Sequence, residues 1–352
     1  MAAASRLPEP PVVTERAAWT HVLTRAIGRM PGPAWLTEIL IGLAIAVVMH
    51  LRLWTTGQLP FGTPALESTY WGAQATALLW TLAYVERLAA SSFAAFRPAL
   101  TLDDDGVERR RRELTRLPWR PTLVLLIVGV ALTIVTFAAA PSSSKVDGTP
   151  AAVFGLVLVA QAFNVSMFFV LLYGLLHQAW VVRRTLATDI SVDVFRPGPL
   201  HAITRLTART GAAIVLLVAS AVAIATFPDD PLELLLVVAP FVVLPPIVVT
   251  LAFLLPLQGT HERLSAEKAR LADAAELRLK GLLEELDRDI DARKLSGLGP
   301  LRDAVRAVLD EREIVAKLPT WPWSVGTARG FISAILLPLA LFLVQRFLAQ
   351  VV

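Results

Sequence analysis

Residues 148–182 read GTPAAVFGLVLVAQAFNVSMFFVLLYGLLHQAWVV, a segment without a Lys, Arg, Asp or Glu. Such a segment has no polar face to turn to water, so it belongs in a membrane or a large core. As one helix at about 1.5 Å per residue it measures ~52 Å. A hydrocarbon core is about 30 Å thick, so this helix is expected to cross the bilayer and project into the cytoplasm.

The rest of the chain agrees. Hydrophobic residues make up 55% of it and charged residues only 18%, with a mean hydropathy of +0.60. A soluble domain of this length needs far less apolar composition. Further candidate spans lie near 36–54, 70–90, 121–140, 210–228, 232–256 and 330–350, which with 151–176 makes seven. The second, YWGAQATALLWTLAYV, carries Gln74, Thr76 and Thr81, small polar groups that suit a helix packed on other helices. The last is short, confined between Arg329 and Arg346, and both arginines can reach outward along their aliphatic stems.

Charge sets the orientation. The segments up to 34, 86–120, 183–209 and 257–329 hold 30 of the 33 basic residues; the other side holds Arg52, Lys145 and Arg346. By the positive-inside rule the N-terminus is expected in the cytoplasm and the C-terminus outside. The segment 1–34 contains no compact apolar run ending in a small-residue cleavage site, so the first span is expected to serve as the insertion signal. The implied localisation is the inner (plasma) membrane, multi-pass.

The expected fold class is all-α: a polytopic membrane helix bundle of about seven spans with a cytoplasmic αα-hairpin. Residues 1–34 form a cytoplasmic segment in which Trp19, Val22, Leu23, Ala26, Ile27 and Met30 share one helical face. That face suits a helix lying in the interface or one packed on the protein's own cytoplasmic surface. Residues 35–257 form a six-span bundle with cytoplasmic loops 91–120 and 183–209. Residues 258–328 form the hairpin, with an apolar stripe through Leu264, Leu271, Ala275, Leu279, Leu282 and Leu286, a turn at Ser296–Pro300, and a second helix marked by Leu301, Val305, Val308 and Val315. About 70 residues bury little core alone, so the hairpin is expected to dock on other loops or on copies of itself. Residues 329–352 are the seventh span. In the sixth, Pro245 and Pro246 remove two amide donors and are expected to make a kink or hinge.

Chemistry is sparse. With no Cys, the chain forms no disulfide, thiolate metal site or thioester. It has no GxxxxGK[ST], HExxH, GxSxG or strand-associated GxGxxG. His21, His50, His177, His201 and His261 are scattered, so no metal site, no cofactor and no enzyme activity are expected. In LDDDGVERRRRELTR the consecutive Asp103, Asp104 and Asp105 suit a helix N-terminus rather than a calcium loop. Arg109 and Glu113 have ion-pair spacing. The arginine run is expected to meet anionic lipid headgroups rather than nucleic acid. At membrane depth the candidate polar path is Gln161 and Asn164, three apart on one face, with Gln345 and Arg346 at the outer end of the last span; interhelical hydrogen bonding is the alternative role for such groups. Trp19, Trp35, Trp54, Trp119, Trp180, Trp321 and Trp323 read as interfacial belts.

Three stretches, FRPALTLDDDGVERRRRELTRLP at 96–118, VDVFRPGPLHAITRLTARTG at 192–211 and LPTWPWSVGTARGFISAILLPL at 318–339, resemble segments of an uncharacterised family of bacterial multi-pass membrane proteins. That resemblance implies no activity. Seven spans, an internal N-terminus and a helical region before the last span are similar in topology to the insect odorant and gustatory receptor channels, which assemble around a pore lined by the last helix. The gustatory signature departs here: Pro338 and Leu339 stand in place of Thr and Tyr, and Arg346 separates Gln345 from Phe347. An oligomeric channel or gated pore is the leading expectation. The alternatives are a scaffold docking a soluble partner on the hairpin and, third, a small-solute transporter.

Overall fold

A computed structural model describes residues 17–139, 148–190, 198–224, 243–292, 298–321, 323 and 325–351. Among these there is no β-strand, only isolated bridges between Ala17 and Pro118 and between Leu100 and Ile190. The helices are α1 (Trp19–Arg29), α2 (Ala34–Thr55), α3 (Leu66–Phe96), α4 (Asp104–Thr115), α5 (Trp119–Ala139), α6 (Ala151–Thr188), α7 (Gly198–Ile224), α8 (Leu244–Asp291), α9 (Leu298–Lys317) and α10 (Val325–Val351). Six of them, α2, α5, α6, α7, α8 and α10, are long and apolar enough to cross a membrane. The chain is an all-α integral membrane protein.

The charge-free segment forms the centre. The most apolar stretch of α6 is 61% buried and that of α7 56%, against 17% for α5 and 11% for α10. Around α6 and α7, the side chains of Leu78 and Leu82 from α3, Ile214 and Val218 from α7, Val249 and Phe253 from α8 and Phe331 from α10 close on Met167, Leu171 and Leu175. Lipid tails are as apolar as these side chains, so within the bilayer shape and close contact hold the helices together rather than transfer from water.

That requirement explains α3, which is too polar to rank with the six yet runs for 31 residues. It lies antiparallel on α2, with Thr76 Oγ1 donating to the Glu38 carbonyl at 3.3 Å. A Cβ at Gly72 would strike the Gly42 carbonyl oxygen, and one at Gly42 would strike Thr76. Two small-xxx-small faces, Gly42 with Ala46 and Gly72 with Thr76, thus meet backbone to backbone. At the far end His50 Nε2 accepts the Ala65 amide at 2.9 Å and fixes the α2–α3 connection. On the other flank a Cβ at Gly129 of α5 would overlap Ser166 of α6, whose Oγ donates to the Leu126 carbonyl at 3.3 Å.

On the basic side a second core joins Phe93 and Phe96 of α3, Leu114 of α4, Val181 and Leu186 of α6, Leu206 of α7 and Leu264 of α8. There α8 continues without interruption past 257/258, so the boundary expected between membrane and soluble segments falls inside one 48-residue helix. Pro245 and Pro246 occupy its first turn, where their missing amides have no intrahelical acceptor to lose. The residues before Val243, on which a mid-span kink at this pair depends, lie outside the described residues; the proline inside α8 is Pro256. Helix α9 runs back along α8: Lys268 Nζ donates to the Ala316 carbonyl at 2.6 Å and Arg278 pairs with Glu311 at 2.9 Å.

Candidate functional site

The sequence marked Gln161, Asn164, Gln345 and Arg346 as a polar path. On α6, Asn164 is 2% exposed. Its Nδ2 donates to the Ala160 carbonyl at 3.1 Å, while its Oδ1 is enclosed without a partner. The Oε1 atoms of Gln161 on the same helix, Gln74 on α3 and Gln345 on α10 are likewise enclosed and unpartnered. The side chain of Arg346 lies outside the described residues. Gln161 and Asn164 share α6, whereas α10 packs chiefly on α7, so Gln345 belongs to a different helix pair. Other polar groups at depth are satisfied, as Thr250 Oγ1 is by the Pro246 carbonyl at 2.7 Å. The amide oxygens, like the Thr210 hydroxyl of α7, have no partner, and each amide oxygen is an acceptor.

Against the basic side stands a polar collar. Asp103 caps α4, its Oδ1 accepting from the Gly106 amide at 2.9 Å, as the aspartate run implied. Glu113 turns to Arg110 at 2.6 Å instead of the expected Arg109, because Arg110 faces inward. Arg110 also reaches Asp189, the residue that closes α6, at 2.5 Å. Arg263 of α8 donates to the Leu186 carbonyl at 2.9 Å and to the Ala187 carbonyl, giving the end of α6 a cationic cap. Amphipathic α1 docks under this collar: Ile27 is buried, Trp19 and Leu23 pack on the core, and Val22 and Met30 stay exposed. Trp19 Nε1 donates to the Thr122 carbonyl at 2.9 Å.

The collar's exposed rim carries cations over aromatic rings, Arg120 5.6 Å from the Trp119 centroid and Arg184 5.7 Å from that of Trp180. Where α8 meets the start of α10, His261, Trp321, Trp323, Phe253 and Phe331 stack in succession, the first pair at 4.0 Å. Outside the bundle, Glu108 is held below its ordinary carboxylate range by its hydrogen bonds from Arg111, helped by the charges of Arg112 and Arg116. Among the described residues no group of three or more His, Asp or Glu stands where it would hold a metal ion. The Arg110–Asp189 pair and the Arg263 cap carried no local signal in the sequence, because the partners come from different helices far apart along the chain. The Gly42 and Gly72 faces did carry one, the small-xxx-small spacing.

Comparison with known proteins brings no relative: no family model, no curated protein and no solved structure matches the chain.

Proposed function

We propose that this protein is an oligomeric channel or gated pore of the inner membrane. It crosses the bilayer seven times, α3 included, with its N-terminus inside and its C-terminus outside. The observation that carries the reading is the set of unpartnered amide oxygens of Gln74, Gln161, Asn164 and Gln345. In hydrocarbon an unsatisfied acceptor costs several kcal/mol. Water or a cation passing through supplies the partner, and carbonyl-type oxygens are the ligands that replace hydration in cation pores. The crossing by α3 is supported by its length of 31 residues, about 46 Å at 1.5 Å per residue, and by its antiparallel pairing with α2. Oligomerisation is supported by α10, which leaves Ile332, Leu336, Leu343, Val344 and Phe347 exposed on the bundle's edge. The Pro245–Pro246 turn at the head of α8 is the hinge candidate.

The test is ion flux through the purified protein reconstituted in liposomes, with particle size measured in the same preparation. Cation flux from oligomers is expected; monomers that pass no current overturn the reading.

One observation favours a second reading, a membrane-anchored scaffold. Helices α8 and α9 extend beyond the apolar zone as an αα-hairpin, and Leu277, Leu283, Ile290, Leu309 and Ile314 are exposed on it. A partner covering these side chains would remove them from water, which is what supports this reading. Deleting 262–316 then abolishes recovery of a soluble partner while membrane insertion persists; unchanged recovery sinks this reading.

A further inference from the structure

The arginine run of α4 is largely paired within the protein. Arg110 reaches Asp189 and Glu113, and Arg111 and Arg112 turn to Glu108. Two cations at the end of α6 differ. Arg183 and Arg184 are exposed, and among the described residues no carboxylate pairs with either. Glu113 and Asp189, the carboxylates that face this end of α6, are both held by Arg110.

These arginines crown a column that one helix sets by its own spacing. Arg183 and Arg184 stand three and four residues on from Trp180, so both flank the indole one turn above it. The Arg184 guanidinium is 5.7 Å from the Trp180 ring centroid, drawn back toward the helix N-terminus as helical side chains are. Trp180 is 55% exposed and Leu176, one turn below, 37%. The rings of Tyr173, His177 and Trp180 stack in succession at 5.9 and 6.3 Å. His177 Nε2 donates to the Glu113 carbonyl at 3.0 Å and holds the ladder in place. Although α6 is the most buried of the apolar helices, this flank is open, and it runs from apolar through aromatic to cationic.

Its depth suits a headgroup. The apolar run of α5 starts just after Arg120, and Leu117 before it lies against Gly174, where a Cβ would stand 3.7 Å from the Leu117 methyls. The hydrocarbon boundary therefore falls near Gly174. Trp180 is ~9 Å further along at 1.5 Å per residue, and the polar layer of a leaflet is about 5–8 Å deep. A ring and a guanidinium that point back along the helix reach that layer.

We propose that this flank of α6 binds the headgroup of an anionic phospholipid. Arg183 and Arg184 donate charge-assisted hydrogen bonds to the phosphate oxygens. Trp180 sits at the glycerol level, where interfacial indoles lie, and an acyl chain runs along Leu176 and Tyr173. A zwitterionic headgroup brings its own ammonium against two guanidiniums, a like-charge contact that phosphatidylglycerol lacks. The site is separate from the amide oxygens of the pore reading and does not depend on it.

Native mass spectrometry of the full-length protein, stripped of lipid in detergent and titrated with phospholipid, tests this. Saturable binding of a first phosphatidylglycerol is expected, at least about fivefold tighter than phosphatidylcholine. The double change Arg183→Gln with Arg184→Gln is expected to weaken it by about tenfold or more. Trp180→Leu, which removes the ring under Arg184, is expected to weaken it about twofold to fivefold. Arg111→Gln with Arg112→Gln removes the same charge from α4 and is expected to leave the affinity unchanged. Should the α6 double variant fail to fold, Trp180→Leu set against the α4 pair decides. Equal affinity for phosphatidylcholine overturns the proposal, as does an equal loss in the two double variants, which would mean net charge only. Displacement of the lipid by millimolar inorganic phosphate overturns it too, by assigning the arginines to a free anion.

Discussion

Arg110 Nη2 lies 2.5 Å from Asp189 Oδ2, and the two side chains are only 10% and 11% exposed. A helix from one basic loop thereby locks onto the end of the central helix, which Arg263 also caps. Charges this enclosed are costly when left alone. Arg110→Met strands Asp189 and is expected to destabilise the protein by about 3–5 kcal/mol. The double change Arg110→Met with Asp189→Leu is expected to recover most of that loss, because no enclosed charge is stranded; Glu113, the other partner of Arg110, is a third exposed and meets water. Denaturant unfolding in detergent reads both, and a single variant as stable as the parent refutes the pairing.

The close approach of α2 and α3 makes a sharper contrast between two glycines. A Cβ at Gly72 overlaps the Gly42 carbonyl, whereas one at Gly155 meets nothing within 4 Å. Gly72→Ala is expected to cost about 1–3 kcal/mol through forced separation of the backbones. Gly155→Ala is expected to stabilise by about 0.5–1 kcal/mol, the helical cost of glycine. Thermal unfolding of the two variants side by side checks it; equal shifts would show that the helices do not touch at Gly72.

That pair also marks what the sequence could and could not tell. Residues 148–182 announced a membrane helix because charge is absent over a length no water-exposed element tolerates, and Asp103 announced a helix start because capping is local. Helix α3 was ambiguous for a physical reason. It buries a face running from Ser68 to Phe96 against its neighbours, so it need not be apolar enough to face lipid, and its small polar groups Gln74, Thr76 and Thr81 pointed to that packing while the Gly72 contact stayed unread. Gln161 and Asn164 were visible as polar residues at depth and Gln345 as one at the outer end of the last span. Whether each oxygen has a partner depends on what the other helices bring beside it, and no periodicity within one helix encodes that. His21 and Glu86 stayed hidden in the same way: they meet from α1 and α3, with all of α2 between them in the chain.

The chain has no native cysteine, so single introduced cysteines report topology without background. Gln58, exposed in the α2–α3 connection, and Asp105, exposed on α4, are opposite in the proposed orientation. Gln58→Cys is expected to react with an impermeant maleimide in intact cells, and Asp105→Cys only after the membrane is opened. Labelling of both in intact cells would mean that α3 does not cross.

Glu108 offers a pH test on the exposed face of α4. Its ordinary value is 4.5, and the Arg111 hydrogen bonds hold it lower in the folded protein. A carboxyl depressed on folding contributes stability above its unfolded value and loses it as pH falls through the folded one. Carboxyl NMR is expected to show Glu108 titrating below 4.5, with Arg111→Gln moving the midpoint upward. A midpoint at or above the ordinary value contradicts the bonding.

Gln161 separates a conducting role from a packing role, because the two predict opposite stability effects. An amide that hydrogen-bonds between helices loses about 1–2 kcal/mol when replaced by an apolar group that leaves its partner unmet. The Oε1 of Gln161 has no such partner. Gln161→Leu is therefore expected to leave thermal stability unchanged or raise it, since removing an unsatisfied acceptor from a low-dielectric interior relieves a cost. In liposomes the same variant is expected to reduce cation flux at least about tenfold, a barrier of about 1.4 kcal/mol where a permeating ion or water has lost its acceptor. Reduced stability with unchanged flux would assign Gln161 to helix packing and remove it from the path.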